Sequence, residues 1–431
     1  MAILLTSRSF QLSARVLILA ALFHPFEVGG AEMSARRFGQ WLRSQGHTVG
    51  VLTTAPTLDD EVWGVIEDGL TVFRTHMPRP FSMFDRSPKS AARKARWHFL
   101  DHFAPFNRRL ARRVIADFVP DIVSANVVQG LGHNMIAEFG RAGLPVVYTQ
   151  HDLGLACINQ FRFRNGRECT GHCAPCRAST IVKRRQLATV DRLSLISPSR
   201  ANLETLGEFT PITELPGYAI PNANHYPEPA QPRVPSDVTR LLFVGRLASS
   251  KGVDVAIEAL RPLTERHRFT LTVLGSGPDE AMLHEMAQNL HWVNFGGHVS
   301  VAEVSEAMNQ ADLLLVPSTW RENSPGVVLQ AHAIGLPVLA SRTGGIPELI
   351  EEGVDGLLVA PGDVDRWRAE LDRLLGNPDE ISRLRSNVVA AIPGRQPERR
   401  AQQIWEVFKG TREPGTQMPS IGPKERVFPR A

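Results

Sequence analysis

The sequence has no run of apolar residues long enough to cross a membrane and little excess of charge of either sign. A spanning helix needs about 18–20 apolar residues, and Arg8 and Arg15 interrupt the apolar N-terminus, MAILLTSRSFQLSARVLILAALF. The segment VLILAALF therefore predicts a buried strand, with a secretion signal as the alternative. A formal net charge of +4 over 431 residues does not favour a nucleic-acid partner. We expect a cytoplasmic protein, or one associated with the inner face of the membrane.

The chain is too long for one ordinary hydrophobic core, so two domains are expected. Apolar runs, each followed by residues with helical spacing, indicate an α/β fold with doubly wound, Rossmann-like parallel sheets. In the first half the predicted strands are Val16–Ala20, Thr48–Thr53, Asp121–Asn126, Val146–Gln150 and Leu193–Ser197. In the second half they are Arg240–Val244, Thr270–Leu274, Trp292–Phe295, Asp312–Pro317, Val338–Ser341 and Gly356–Val359.

A proline-rich segment, IPNANHYPEPAQPRVPSDVTR, separates the two halves and predicts a stiff linker. The N-terminal domain is therefore assigned to residues 1–225 and the C-terminal domain to residues 236–395. A last helix, 396–411, is expected to pack back on the N-terminal domain. The tail, 412–431, is rich in Gly, Pro and charge and is expected to be loose.

Loops that follow parallel strands carry the candidate binding residues, because ligands bind beyond the carboxyl ends of such strands. Gly29 and Gly30 follow the first strand and precede a predicted helix start near residues 31–32, where glycine lets the backbone approach a ligand. Arg246 and Lys251 lie in GRLASSKG, after a strand of the second half. Two cations there suit a diphosphate, and solvated surface cations are the alternative.

A second loop, WRENSPG, leads into a helix in the C-terminal half. The sequence predicts Ser324 as the N-cap, Pro325 at the first helical position and Gly335 at the helix end. The N–H groups near Gly326 and Val327 would then face an anion such as a phosphate.

Glu322 precedes this helix and would repel a phosphate unless its carboxylate faced sugar hydroxyls or developing positive charge. The alternative is an acid placed to interact with the helix dipole. Gln330 lies four residues past Gly326, on the same helix face, and could bond a ribose hydroxyl. Backbone groups from residue 297 to Val299 could contact a nucleotide base, with a structural turn as the alternative.

All four cysteines occur in one short stretch, CINQFRFRNGRECTGHCAPC, with His172 among them. Their number and spacing predict a structural zinc site on an excursion near 157–176 of the N-terminal domain, formed by Cys157, Cys169, Cys173 and Cys176. Two disulfides, an iron–sulfur cluster or free thiols are the alternatives.

Basic and aromatic residues alternate between Arg86 and Arg113. This pattern is typical of a solvated pair of amphipathic helices. It is also typical of a surface that contacts anionic lipid or a lipid-diphosphate acceptor.

Several motifs together resemble the GT-B glycosyltransferases of the large retaining family 4. They are EVGGAE, QHD, SPSRANLETL, IPNA, VGRLASSKG, LGSGP, ENSPG and TGGIPELIEEGVDGLLV, and they span nearly the whole chain. The resemblance implies two Rossmann-like domains that face each other across a cleft. It also implies transfer of a sugar from a nucleoside-diphosphate sugar to an acceptor hydroxyl with retained configuration, as in polysaccharide, lipopolysaccharide or glycolipid synthesis.

By this resemblance, Arg246 and Lys251 bind the donor diphosphate together with the backbone around Ser324–Val327. Asn323 belongs to the same donor-binding loop.

By the same resemblance, Glu322 contacts the donor sugar and His151 points toward the reacting centre. Gly29 and Gly30 let the N-terminal domain approach the donor phosphates and the acceptor.

The sequence departs from the family pattern at Gln330, where the family has a second glutamate, and at Ala223, where it usually has glycine. We expect altered nucleotide affinity rather than loss of function. With no second carboxylate in a matching motif, a front-face displacement is more plausible than a covalent intermediate. Cations and a helix N-terminus would stabilise the leaving diphosphate, so no catalytic metal is expected. The alternatives are a nucleotide-sugar epimerase and an inactive nucleotide-binding relative.

Overall fold

The computed structural model describes residues 13–26, 29–85, 87–164, 167–210, 212–415 and 426–428. The first two residues of EVGGAE (Glu27 and Val28), Arg86 of the basic stretch and most of the tail 412–431 lie outside these ranges. Among the described residues, no helix is both long and apolar enough to span a bilayer.

All eleven strands predicted from apolar runs are present, each within two residues of its predicted bounds. In the described ranges the strands are β1 (Arg15–Leu19), β2 (Thr48–Ala55), β3 (Val62–Glu67), β4 (Leu70–His76), β5 (Ile122–Ala125), β6 (Val146–Thr149), β7 (Phe163–Arg164), β8 (Arg167–Glu168), β9 (Leu193–Ser197), β10 (Gly217–Ala219), β11 (Thr239–Val244), β12 (Phe269–Leu274), β13 (Val293–Gly297), β14 (Leu313–Val316), β15 (Val338–Ser341), β16 (Gly356–Val359) and β17 (Arg426–Phe428).

Helices follow most of the parallel strands, as expected of a doubly wound fold. They are α1 (Gly30–Ser44), α2 (Ala91–Phe103), α3 (Pro105–Phe118), α4 (Met135–Arg141), α5 (Ala174–Leu187), α6 (Arg200–Phe209), α7 (Val253–Leu260), α8 (Glu280–Met286), α9 (Val301–Gln310), α10 (Gly326–Ile334), α11 (Val364–Leu375), α12 (Pro378–Ala391) and α13 (Pro397–Arg412).

Within the described residues, the larger sheet has nine strands in the order β17-β10-β9-β6-β5-β1-β2-β4-β3. Its centre is parallel, with β1 between β2 and β5, and Val16 to Leu19 of β1 are fully buried. The strands β3 and β17 run antiparallel to their neighbours at the two edges. Residues 426–428 thus form a strand instead of the loose segment expected for this part of the tail, because their backbone pairs with β10.

The smaller sheet has six parallel strands in the order β13-β12-β11-β14-β15-β16. Successive side chains of a strand point to opposite faces, so Leu241 and Phe243 join one core cluster and Leu242 joins the other. Trp367 of α11 is fully buried in the first cluster. Burial of each such large side chain stabilises the fold by roughly 1.5–3 kcal/mol. These two clusters keep the strands fixed, and with them the loops at their carboxyl ends.

The chain divides into two compact units whose bounds differ from the predicted domains. The first contains Met1–Thr149, Ile181–Ser194 and Trp405–Met418, and the second contains Gln150–Thr180, Leu195–Ile404 and Pro419–Ala431. The linker composition correctly marks a change of sheet, since β11 follows it. It did not reveal that residues 150–180 and 195–225 belong with the second unit.

The end of α13 lies in the first unit, where Trp405 and Phe408 are buried. The centroid of the Trp405 ring lies 4.3 Å from the centroid of the His47 ring, and the Phe408 and Phe38 centroids lie 5.3 Å apart. The last turns of α13 therefore belong to the core of the first unit, because their aromatic side chains are buried there.

Candidate functional site

The candidate site lies at the carboxyl edge of the six-stranded sheet, where the direction of strand succession reverses. From β11 the chain continues to β12 and β13 on one side, and then to β14, β15 and β16 on the other. Loops that leave β11 and β14 therefore diverge and open a crevice between them. The loop after β11 carries Arg246 and Lys251, and the loop after β14 carries Glu322.

Two glycines let the loop after β11 pack closely against the backbone of the loops after β14 and β12. Gly252 has a φ of +69°, and a Cβ at this position would lie 2.0 Å from the carbonyl oxygen of Pro317. Gly275 has a φ of +135°, and a Cβ there would lie 1.9 Å from the carbonyl oxygen of Gly245. Any side chain at either position would clash with backbone, so the crevice depends on glycine at both.

Glu322 is only 7% exposed, and three donors converge on one oxygen of its carboxylate. The Oε1 atom accepts from Lys251 Nζ at 2.5 Å, Trp320 Nε1 at 2.8 Å and Ser318 Oγ at 2.9 Å. Among the described residues, the other oxygen, Oε2, has no hydrogen-bond partner. The carboxylate is thus fixed through one oxygen, and the second is left to accept from a ligand.

The two predicted cations differ in their surroundings. Lys251 pairs with Glu322, and its side chain is 25% exposed. Arg246 is exposed and forms no ion pair with any residue that the structure describes. The sequence did not predict the pairing of Lys251 with Glu322, because the two residues lie in different loops. An ammonium group has three N–H donors, so this bond leaves two donors on Lys251.

The backbone of the Glu322 loop is held by a neighbouring glycine pair. The N–H of Gly345 donates to the carbonyl of Glu322 at 2.8 Å. A Cβ on Gly344, which has a φ of +55°, would lie 1.9 Å from the same carbonyl oxygen. This contact explains why the TGG motif accompanies the glutamate.

Asn323 holds together two segments of the second unit. Its Nδ2 donates to the carbonyls of Gln150 at 3.2 Å and His151 at 3.0 Å, and its Oδ1 accepts from Ser199 Oγ at 2.5 Å. These bonds involve the side chain of Asn323, whose predicted contact with the donor stays a prediction. They bring the QHD segment beside the Glu322 loop, as the family resemblance implies for His151.

His151 is partly buried, and burial lowers the pKa of its imidazole to about 4. Its ring is therefore neutral above about pH 5. A neutral imidazole can donate from one nitrogen and accept at the other.

The helix α10 begins one residue later than predicted. Pro325, in an extended conformation, is its N-cap, and Gly326 is the first helical residue. The prediction of Ser324 as N-cap was wrong, since no side chain caps the helix and the buried Ser324 Oγ has no hydrogen-bond partner among the described atoms. The predicted stop at Gly335 is confirmed by its φ of +83°.

Gln330 and Val299, predicted to contact the nucleoside, take part in the packing of the second unit. Gln330 is buried, and its Nε2 donates to Ser305 Oγ at 3.0 Å and to the carbonyl of Val301 at 3.3 Å, both in α9. A glutamate could not donate to that carbonyl. Val299 is partly buried against the core cluster that contains Leu242.

Gly29 and Gly30 belong to the first unit, at the start of α1. The helix begins at Gly30, slightly earlier than predicted, and Gly29 is its extended N-cap. A Cβ on Gly30 would meet nothing within 4 Å, whereas one on Gly29 would lie 3.0 Å from Glu32 Oε2. Open space around Gly30 is compatible with close approach of a ligand.

The structure describes all four cysteines of the predicted zinc site. Within the described ranges, no group of three or more His, Cys, Asp or Glu side chains is arranged to hold a metal ion. Cys157 and Cys176 are buried with their sulfur atoms 3.9 Å apart, and none of the four cysteines forms a disulfide. Hydrogen bonds from Cys176 lower the pKa of Cys173, while burial raises the pKa of Cys176 to about 12. A zinc site at these cysteines stays a prediction.

Comparisons with known proteins agree with this geometry. A family model described as "Glycosyl transferases group 1" matches residues 227–390, and one described as "Glycosyl transferase 4-like domain" matches residues 29–207.

Curated relatives include the D-inositol 3-phosphate glycosyltransferase of Frankia alni, 31% identical over 61% of this chain and 68% of that protein. The uncharacterized glycosyltransferase MJ1607 of Methanocaldococcus jannaschii is 35% identical over 33% of this chain and 37% of that protein. The amylovoran biosynthesis glycosyltransferase AmsK of Erwinia amylovora is 38% identical over 31% of this chain and 35% of that protein. The matches to MJ1607 and AmsK thus span only about a third of those proteins.

Solved structures resemble nearly the whole chain. The sucrose-phosphate synthase of Thermosynechococcus elongatus aligns with a TM-score of 0.70 at 17% identity, over 92% of this chain and 98% of that one. Anabaena HepE in complex with UDP-glucose aligns with a TM-score of 0.65 at 19% identity, over 92% and 100%. At such identities the likeness shows the fold. Together with the family matches, it establishes that the chain belongs to the group 1 glycosyltransferases of family 4, with the GT-B fold.

Proposed function

We propose that this protein transfers a sugar from a nucleoside-diphosphate sugar to an acceptor hydroxyl with retention of configuration. The observation that carries the proposal is the carboxylate of Glu322 at the crevice between β11 and β14. Three donors fix its Oε1, and its Oε2 has no described partner. An acceptor oxygen so held suits the hydroxyls of a sugar, and its charge would stabilise an oxocarbenium-like transition state.

The donor diphosphate would lie between Arg246, the two remaining donors of Lys251 and the start of α10. The first N–H groups of a helix favour an anion, and the unpartnered Ser324 hydroxyl lies just before that start. Gly326 and Val327 would supply the helix N–H groups. This arrangement neutralises the leaving group with side chains and backbone, so we propose a reaction that needs no catalytic metal.

The UDP-glucose complex of HepE supports a uridine diphosphate sugar as the first donor to test. The hydrogen bonds of Gln330 limit what it can contribute to nucleoside binding, because its amide N–H groups already donate to Val301 and Ser305 of the second unit. We therefore assign it no bond to ribose through nitrogen.

The relative AmsK, named for amylovoran biosynthesis, supports an acceptor in cell-surface polysaccharide assembly. We propose a glycan or lipid-linked acceptor on that basis. Gly29 and Gly30, with open space around the second, are the proposed points of close backbone approach in the first unit.

Contact with an anionic membrane is proposed through α2. Phe99 and Phe103 are 61% and 47% exposed, and their ring centroids lie 5.1 Å apart. Lys94 and Arg96 are exposed on the same helix and form no ion pair with a described residue. Exposed aromatic and cationic side chains together favour an anionic bilayer surface.

Other cations of this basic stretch have partners within the fold. Arg108 and Arg112 donate to Glu138 at 2.6 and 2.7 Å. The membrane contact is therefore assigned to α2 alone. If Phe99 and Phe103 make this contact, vesicles containing phosphatidylglycerol should bind the protein less when both are replaced by serine. Equal binding of this variant and the parent protein would contradict the assignment.

Ligand binding tests the donor proposal directly. Thermal unfolding would be followed with UDP, ADP, GDP and dTDP and with their glucose derivatives, since a ligand at 100 times its Kd stabilises by about 2.7 kcal/mol. We expect stabilisation by one nucleotide series and its loss in Arg246→Met and Lys251→Met. The exposed Arg268→Met variant is the matched control and should respond like the parent protein.

Product analysis then separates the activities. Transfer or slow donor hydrolysis supports the proposal, whereas an epimerised donor formed without acceptor would identify an epimerase. Nucleotide binding without turnover of any donor, with all acceptor classes present, would identify a non-catalytic binding protein.

A further inference from the structure

One residue of the donor site contacts both of its central charged groups and was not singled out from the sequence. Trp320 donates its indole N–H to Glu322 Oε1 at 2.8 Å. The Nζ atom of Lys251 lies 5.1 Å from the centroid of the Trp320 ring, within the range of a cation–π contact. Trp320 therefore restrains the carboxylate through one edge and the ammonium through its ring.

The Cys-rich excursion supports this tryptophan. Phe161 packs on it with a centroid distance of 5.5 Å, and Phe163 of β7 packs edge-on at 6.3 Å. Beside them, Arg321 Nε lies 3.6 Å from Glu168 Oε1 of β8. The short hairpin of β7 and β8 thus contacts two consecutive residues of the Glu322 loop.

We propose that Trp320 is a positioning residue for Glu322 and that the aromatic side chains of the excursion support it. The inference rests on the proposed function and adds a third element to the donor-sugar site. Three donors on Oε1 limit rotation of the carboxyl group, so Oε2 points in one direction. Loss of one donor lets the group rotate and weakens its contact with the sugar at the transition state.

This role predicts an effect on turnover and not on nucleotide binding. Trp320→Phe keeps an aromatic ring for Phe161, Phe163 and Lys251 but removes the N–H donor. We expect kcat with the preferred donor to fall about tenfold, the loss of roughly one hydrogen bond to a charged group. The Kd for the nucleoside diphosphate should change less than threefold.

A double-mutant cycle distinguishes positioning from a general structural role. If Trp320 acts through Glu322, Trp320→Phe should lower kcat about tenfold in the parent protein and less than twofold in Glu322→Gln. Equal effects in both backgrounds would overturn the inference. Trp292→Phe, a change in a ring that packs on Phe269, is the matched control and should leave kcat unchanged.

The support from the excursion is tested separately with Phe163→Leu, which leaves the indole N–H in place. We expect a three- to tenfold fall in kcat that also disappears in Glu322→Gln. If Trp320→Phe does not fold, the Phe163→Leu cycle alone decides the inference. An active parent protein with unaffected variants would refute the inference and leave the proposed function standing, whereas an inactive parent protein would refute the proposed function.

Discussion

Replacing Glu322 with glutamine changes one atom of the proposed donor site and nothing in its shape. The three donors around Oε1 require an acceptor. The amide oxygen of the new side chain should therefore take that position and leave the amide nitrogen at the position of Oε2. The substitution turns a free acceptor into a donor and removes the negative charge that would face the sugar.

The expected effect on catalysis follows from this exchange. Removing one electrostatic group that acts mainly in the transition state costs about 10²–10³ in kcat, or about 2.7–4 kcal/mol. The cost in stability should be smaller, at about 1 kcal/mol, because the partner Lys251 is partly exposed and keeps other donors in contact with solvent. Affinity for the nucleoside diphosphate should change less than threefold, since Glu322 would contact the sugar alone.

Two assays carried out on the same protein separate these effects. Donor turnover would be followed by release of the nucleoside diphosphate, and its binding would be followed by calorimetry. The exposed Glu258→Gln variant on α7 is the matched control and should behave like the parent protein. A folded Glu322→Gln variant with kcat within threefold of the parent would refute the role of Glu322. A fall in nucleotide affinity as large as that in kcat would place this residue at the phosphates.

Three further outcomes are expected. Gln330→Glu removes the donor to the Val301 carbonyl, so it should lower the free energy of unfolding by about 1–2 kcal/mol without tightening nucleotide binding; tighter binding in calorimetry would contradict this. Burial lowers the pKa of His332 to about 3 from 6.5, so the unfolded chain binds a proton below pH 6.5 that the folded chain does not, and stability falls as the pH drops. In urea unfolding, the parent protein should lose up to about 2 kcal/mol of unfolding free energy between pH 6.5 and 5, and His332→Leu should not show this loss. The exposed His291→Leu variant is the control, and its stability should depend on pH as that of the parent protein does. Chelator should leave transfer unchanged, and complete loss that magnesium alone restores would show that a catalytic metal is required.

The sequence by itself determined the class of fold and the identity of the strand-end loops. Continuous apolar runs such as Val338–Ser341 can be satisfied only by burial on both faces, which is the environment of a parallel strand in an α/β sheet. Once the strands are known, Arg246, Lys251 and Glu322 must lie at their carboxyl edge. The strands β3 and β4 were missed: β3 is apolar in sequence yet largely exposed at the sheet edge, and the apolar residues of β4 are interrupted by Thr71, Arg74 and Thr75.

Only the tertiary structure decided which of these side chains meet. The Lys251–Glu322 pair joins residues 71 positions apart, and the Asn323–His151 bond joins residues 172 apart. Such contacts depend on strand order and loop approach, which local spacing does not encode. The same reason explains why Gln330 bonds to α9 and why Trp320 lies beside Glu322, since each contact depends on what the fold packs against the side chain.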